Sequence, residues 1–398
     1  MSSVTRKRLG DVINLKRGYD LPANKRTSGS YPVISSSGVS GYHNEYKVAG
    51  KGVVTGRYGT LGEVYFAEDK YWPHNTALYV QDFKGNDERY VYYLLKLLGR
   101  IRTSDKSTVP GVNRNELHEM LVPVVTDAAE QKRIGEVLSS IDKKIETNKK
   151  INKKLDASMR LLYDYWFVQF DFPNITGKPY KSSGGKMIYN EILKRDLPEG
   201  WSVMELDDVI SRSATGLNPR NNFKLGSGDN YYVTIKNVED GKIVLDDRCD
   251  KIDDDALKII NRRSDLQPGD VLFTSIEPVG ITYLVRETPK NWNINESVFT
   301  LRPNYNLVTA EYLLMLLSSS EMKAFTANVA YGSIHKGIRH SVLKTFKVAY
   351  GNKTLTEKYA DSISPMLQRI DRIDQENREL SELRDWLLLL LMNGQARI

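Results

Sequence analysis

A single cysteine, Cys249, stands in 398 residues, which excludes an intramolecular disulfide and any multi-cysteine zinc site. Long apolar runs are absent too. The longest, Trp386 to Met392, is far too short to span a bilayer, so no membrane association is expected. Arg6, Lys7 and Arg8 have no apolar run behind them; no signal peptide is expected, and a reducing, cytoplasmic setting fits. The five histidines lack metal-ligand spacing, His335 and His340 included. Phosphate loops are missing: the pair of glycines at Gly226 and Gly228 has no third, and Gly184-Gly185-Lys186 is followed by Met187 instead of Ser or Thr. The Asp/Asn-Pro-Pro-aromatic tetrapeptide of amino-methyltransferases does not occur. Glu68 with Lys70 would suit a nuclease triad, but nothing distinguishes them from solvated surface. No catalytic residue, metal or cofactor is therefore expected.

What the chain has is repetition. LGDV from Leu9 recurs as LDDV from Leu206, and GVNRNEL from Gly111 as GIRHSVL from Gly337. Asn152, Leu155 and Leu162 recur as Asn377, Leu380 and Leu387, a shift of 225. Residues 1–125 read as short strands, turns and one helix, and 201–350 repeat that mixed plan. The stretch from Leu206 to Leu272 is 21 residues longer than its match from Leu9 to Val54. Between the mixed domains lie a central helical region, 126–170, and a polar Gly/Pro-bearing linker, 171–200. A second helical region occupies 351–398.

Ile134, Leu138, Ile141, Ile145, Leu155, Met159, Leu162 and Trp166 fall at alternating three- and four-residue steps, with Asn148 and Asn152 in the same seam. Ile363, Met366, Ile370, Ile373, Asn377, Leu380 and Leu387 mark a second seam. These are heptad patterns, in which a seam asparagine costs stability and fixes register. Each helix is the natural partner of the other, and an antiparallel pair would carry the mixed domains at opposite ends. The expected fold is α/β in the broad sense (α+β): two mixed domains joined by two long antiparallel coiled-coil-like helices, with an internal pseudo-two-fold repeat.

A net charge of +7 suits a polyanion. Residues suited to double-stranded DNA sit in matching loops. Arg57, Tyr58 and Thr60 combine a bidentate donor, a stacking ring and a hydroxyl beside glycine. Ser35, Ser36 and Ser37 offer hydroxyls. Lys106, Ser107 and Thr108, with Arg114 after them, match Ser333, His335 and Lys336, with Arg339 after them. Asn75 and Asn295 precede comparable strands. Lys236, Asn237 and Ser275 complete the second-unit set. The lysine-rich stretch from Lys143 reads as a solvated face or as a contact to phosphates. Leu162, Trp166 and Phe167, like Trp386 and Leu389, lie on segments apolar on nearly every side. One helix seam cannot bury all of that, so a protein partner is expected there.

YPVISSSG followed by GYH, GRYGTLGEVYF then YWPHNTALYV, and EQKRIGEVLSSIDKKI appear in a specific order. So do LLYDYWFVQFDF, GKPYKSSGGKM and LPEGW, then PGDVLFT and RDWLLLLLMNGQ. In these the chain resembles the specificity subunits of type I restriction–modification enzymes over nearly its whole length. The resemblance implies two target recognition domains, two helical spacer regions, two bound methyltransferase subunits and, in the full complex, a restriction subunit. LPEGW has no counterpart before Leu9, and the second recognition domain is of a different subtype. A helix of about 40 residues is roughly 60 Å long, or about 17–18 base pairs. Two readers held so far apart would see two short, different sequences with an unread gap. The competing readings are a stand-alone nuclease or modification enzyme, and a coiled-coil adaptor that binds no DNA.

Overall fold

The computed structural model describes residues 4–56, 63–104, 114–239, 241–330 and 337–398. The chain forms two compact units, Met1–Ile151 with Arg372–Ile398, and Asn152–Asp371.

In the first unit, four strands make an antiparallel sheet in the order Asn14–Arg17, Ala77–Asp82, Gly52–Gly56, Val64–Ala67. A second sheet orders Gly38–His43, Tyr31–Ser35 and Trp72–Pro73, the last pair parallel. Val4–Arg8 pairs antiparallel with Leu121–Val125. The β-branched and aromatic residues of these segments favour pleated, half-buried positions. Helix Glu88–Ser104 sends Tyr90, Val91 and Leu94 into one core with Leu15, Val53, Leu78 and Val80. Each such aliphatic side chain contributes about 1.5–3 kcal/mol of burial. The buried Gln131 fastens the next helix to this domain: its Nε2 donates to Val125 O (2.7 Å) and Asn86 Oδ1 (2.8 Å), and its Oε1 accepts from Asp87 N (3.0 Å).

The second unit repeats the plan. Its four-stranded sheet runs Ile210–Thr215, Val298–Pro303, Val271–Thr274, Thr282–Leu284. Its three-stranded sheet runs Asp250–Ile252, Asn230–Val233, Trp292–Ile294, again with one parallel pair. Ser202–Glu205 pairs with Lys347–Tyr350 as Val4–Arg8 pairs with Leu121–Val125. The extra residues between Leu206 and Leu272 build a short hairpin, Val238–Glu239 with Lys242–Ile243, and helix Asp254–Ser264.

Two long helices, Ala128–Tyr163 and Lys353–Met392, carry the heptads. In the first unit Asp142 Oδ1 accepts from Arg384 Nη1 (2.8 Å), and Asn148 Nδ2 donates to Asn377 Oδ1 (3.0 Å) and Glu376 Oε2 (2.8 Å). Partners fall in number along one helix as they rise along the other, so these segments run antiparallel. In the second unit Tyr359 donates its hydroxyl proton to Met159 O at 2.9 Å. Pro365 lies inside the second helix and has no N–H to give to the residue four before it.

The stretch 171–200 carries more structure than a linker. Met187–Asn190 pairs with Arg195–Pro198, and Phe172 stacks between Tyr180 (4.8 Å) and Trp201 (5.4 Å). Asp171 accepts from the backbone and hydroxyl of Ser182. Gly, Pro and Ser composition marks tight turns as readily as open chain. Among the described residues no helix is long and apolar enough to cross a membrane.

Candidate nucleic-acid interface

In the first unit, three turns meet where the parallel strand Trp72–Pro73 ends. Gly18 follows strand Asn14–Arg17 and presses on that strand's end; a Cβ there would meet His74 O at 2.2 Å. His74 N donates to Ile34 O (2.8 Å), and Ser36 N to Thr76 Oγ1 (3.4 Å), drawing in the serine turn. Asn75 Nδ2 donates to Asp20 Oδ1 at 2.6 Å, tying the loop after Gly18 to the turn. Burial first, then the Arg26 charge, holds the His74 imidazole below its usual range; Asp20 offsets this only in part. A neutral ring can both donate and accept, which suits base edges better than phosphate.

The second unit builds the same edge. A Cβ on Gly216 would meet Ile294 O at 1.8 Å. Asn295 N donates to Val233 O (2.8 Å), as His74 N does to Ile34 O. Asn218 Nδ2 donates to Glu296 Oε1 at 2.6 Å. Ser275 Oγ donates to Ser297 O (2.8 Å), while Ile338 N donates to Ser275 O (2.8 Å), bringing residues 337–339 to this edge. Ala77 and Val298 hold equivalent places, opposite Gly56 and Thr274. The match to Asn295 is therefore His74, and the match to Asn75 is Glu296. Asn75 and Asn295 thus both precede equivalent strands but stand one residue out of step, a register that is invisible without the neighbouring strand.

The candidate contact residues divide three ways. Arg57, Tyr58, Thr60, Lys106, Ser107, Thr108, Ser333, His335 and Lys336 lie outside the described residues. Ser37, Lys236, Arg114 and Arg339 are exposed, and Ser36, Asn75 and Asn295 half-buried, at positions that could meet a ligand. Ser35, Asn237 and Ser275 are buried and serve the fold, a correction to their reading as contacts. Ser35 Oγ donates to Gly38 O (3.0 Å), and Asn237 Oδ1 accepts from Thr234 N (2.9 Å) in a capping box. Short polar side chains close turns by the same bonds that would read a base.

Trp166 and Phe167 are also corrected as partner contacts. Both are buried in the second unit's own core, Trp166 against Tyr359 (5.7 Å) and Phe167 against Tyr312 (4.8 Å), with Leu162 half-buried beside them. The heptad seam leaves out the second unit's mixed domain, which covers them as a third surface. Trp386 and Leu389 are 58% and 46% exposed, with Leu383 beside them at 44%. Under the shift of 225, Trp386 matches Leu161, itself 67% exposed. Leu391 and Met392, the matches of Trp166 and Phe167, are likewise buried. Sequence reading missed Leu161, Asp20, Asn218 and Glu296. Comparing the two copies position by position along the helix would have flagged Leu161; the other three share no string.

Glu68 is ion-paired with Arg89 at 2.7 Å, and among the described residues no three His, Cys, Asp or Glu side chains cluster to hold a metal.

A family model described as the type I restriction modification DNA specificity domain matches residues 1–157 and 198–382. The type I restriction enzyme MjaIX specificity subunit of Methanocaldococcus jannaschii is 22% identical over 321 residues, 78% of this chain and 69% of that one. The HindI specificity subunit of Haemophilus influenzae is 20% identical over 343 residues, 74% and 73% of the two chains. The crystal structure of a type I restriction–modification S subunit from M. genitalium shares the fold. Its TM-score is 0.55 at 16% identity, covering 98% of this chain and 96% of that one.

Proposed function

This chain belongs to the type I restriction modification DNA specificity family, and from that premise we propose that it reads a two-part, asymmetric duplex target, one unit per half-site. The observation that carries the reading is one sheet plan built twice, with its edge loops furnished differently. Equal scaffolds with unequal loops suit two different short sequences, whereas a symmetric dimer reads a palindrome.

The two long helices are proposed as an antiparallel coiled-coil-like ruler, related by a pseudo-two-fold, that sets the unread interval. Their lengths of 36 and 40 residues correspond to about 54–60 Å at roughly 1.5 Å per residue. The polar layer of Asn148, Asn377 and Glu376 supports a fixed register. Two methyltransferase subunits would dock at the repeated exposed positions, Leu161 and Trp386, and a restriction subunit would join the full complex. Methyl transfer and cleavage belong, in this reading, to those partners; the chain selects where they act.

Co-expression with its methyltransferase, followed by methylome sequencing, tests the proposal. A methylated two-part sequence is expected, with no methylation when this chain is omitted. Methylation spread without sequence preference would end it.

A further inference from the structure

The loops behind Gly18 and Gly216 share no sequence string, yet they are built to one plan. Each is rooted by a glycine pressed on the end of the parallel strand, where a Cβ has no room. Each then starts a turn at a proline: Pro22 O accepts from Lys25 N, and Pro219 O from Asn222 N, both at 2.9 Å. Each is held down by an apolar side chain. Leu21 is buried with Val33 and Trp72, and Phe223 meets Tyr232 edge-on at 5.5 Å. The third residue of each proline turn is the same, Asn24 in one loop and Asn221 in the other.

Both asparagines are exposed, and neither side-chain amide has a partner among the described residues. Asparagine is favoured in turns because its side chain bonds nearby backbone. Neither does so here, so turn chemistry does not account for them. Each has an exposed cation beside it, Lys25 in the first loop and Arg220 in the second. A free amide held on a braced turn offers one donor and one acceptor at a fixed spacing, the pattern that pairs with adenine N6 and N7. The adjacent cation suits phosphate or guanine.

We propose that Asn24 and Asn221 are equivalent base-reading residues, one in each half-site, with Lys25 and Arg220 contacting the DNA beside them. This rests on the reading that each unit contacts one half-site.

The test uses the full chain co-expressed with its methyltransferase, unsubstituted and as Asn24→Ala, Asn221→Ala, Asn24→Asp and Asn221→Asp. The unsubstituted complex is profiled first, and a two-part methylated target there establishes the underlying reading independently. Given that target, each alanine variant should lower methylation roughly 5- to 150-fold and relax preference at one base of its own half-site only. The aspartates are isosteric and acidic, and should suppress the same half-site further. Melting temperatures within about 2 °C of the parent would show that the fold is kept. Alanine variants that retain full preference in both halves would overturn the proposal, as would relaxation in the opposite half. If both alanine variants were unfolded, the tips would be structural and the proposal would equally be lost.

Discussion

Asp20 accepts a 2.6 Å hydrogen bond from Asn75, and the second unit repeats this bond at 2.6 Å with acid and amide exchanged, Glu296 accepting from Asn218. The geometry is kept while the carboxylate moves from loop to turn. Which side carries the acid is therefore immaterial to holding the loop, provided that one side does.

That equivalence predicts a rescue. Asp20→Ala or Asn75→Ala should cost about 0.5–1.5 kcal/mol of local order and weaken methylation through the first half-site. The double exchange Asp20→Asn with Asn75→Asp copies the second unit's arrangement and should restore it. Quantifying half-site methylation in the singles and the double decides the matter; a double variant worse than either single would show that the bond does not position the loop.

Stability toward acid should depend on Asp142. Burial alone would raise its pKa, but the Arg384 hydrogen bond, the Lys96 charge and the Tyr93 hydroxyl outweigh burial and lower it from 3.8. A depressed carboxylate stabilises the fold above its unfolded pKa, and that contribution is lost as pH falls through the folded one. Asp142→Asn should destabilise the protein by about 1–3 kcal/mol near neutrality and flatten the loss of stability below about pH 4. Urea unfolding across pH would show this, and parallel curves for parent and variant would refute it.

The exposed helix positions predict stoichiometry. Leu161→Asp and Trp386→Asp should each leave a folded chain that has lost one of two methyltransferase copies, seen by native mass measurement of the complex. Trp166→Ala should instead destabilise the second unit by about 3–5 kcal/mol, because its ring fills that unit's core. Two copies retained by the double Leu161→Asp, Trp386→Asp variant would move the docking site elsewhere.

Seven residues inserted after Asn148 and at the facing position, Asn377, would preserve heptad register. Each helix gains about 10 Å, so the half-sites should separate by up to roughly three base pairs. Their sequences should not change. A folded insertion variant that still methylates the original spacing would exclude the helices as the ruler.

The repeat, the mixed α/β class and both long helices were legible because periodicity is local: heptads and recurring strings need no partner to be seen. Asn148 and Asn377 could each be assigned to a seam from the heptads alone. Trp166 could not be placed by the same logic, since a third surface covers it. The one-residue offset between Asn75 and Asn295 was hidden for a related reason, as register belongs to a pair of strands. Asn24 and Asn221 were unreadable because their shared geometry comes from a glycine contact and a proline turn at different offsets, three and four residues apart.

The first unit's core closes over Leu388, Leu391 and Met392, which pack with Leu9, Leu94 and Val124. Those three side chains are synthesised about 260 residues after Val125. At roughly 5–20 residues per second, the domain made first waits on the order of 15–50 s on the ribosome for its missing wall. A message that ended before Leu388 would leave that core permanently open and its apolar surface available to chaperones and proteases. Completion of the first unit thus reports that the second has already been translated, so a half-made chain cannot present a finished one.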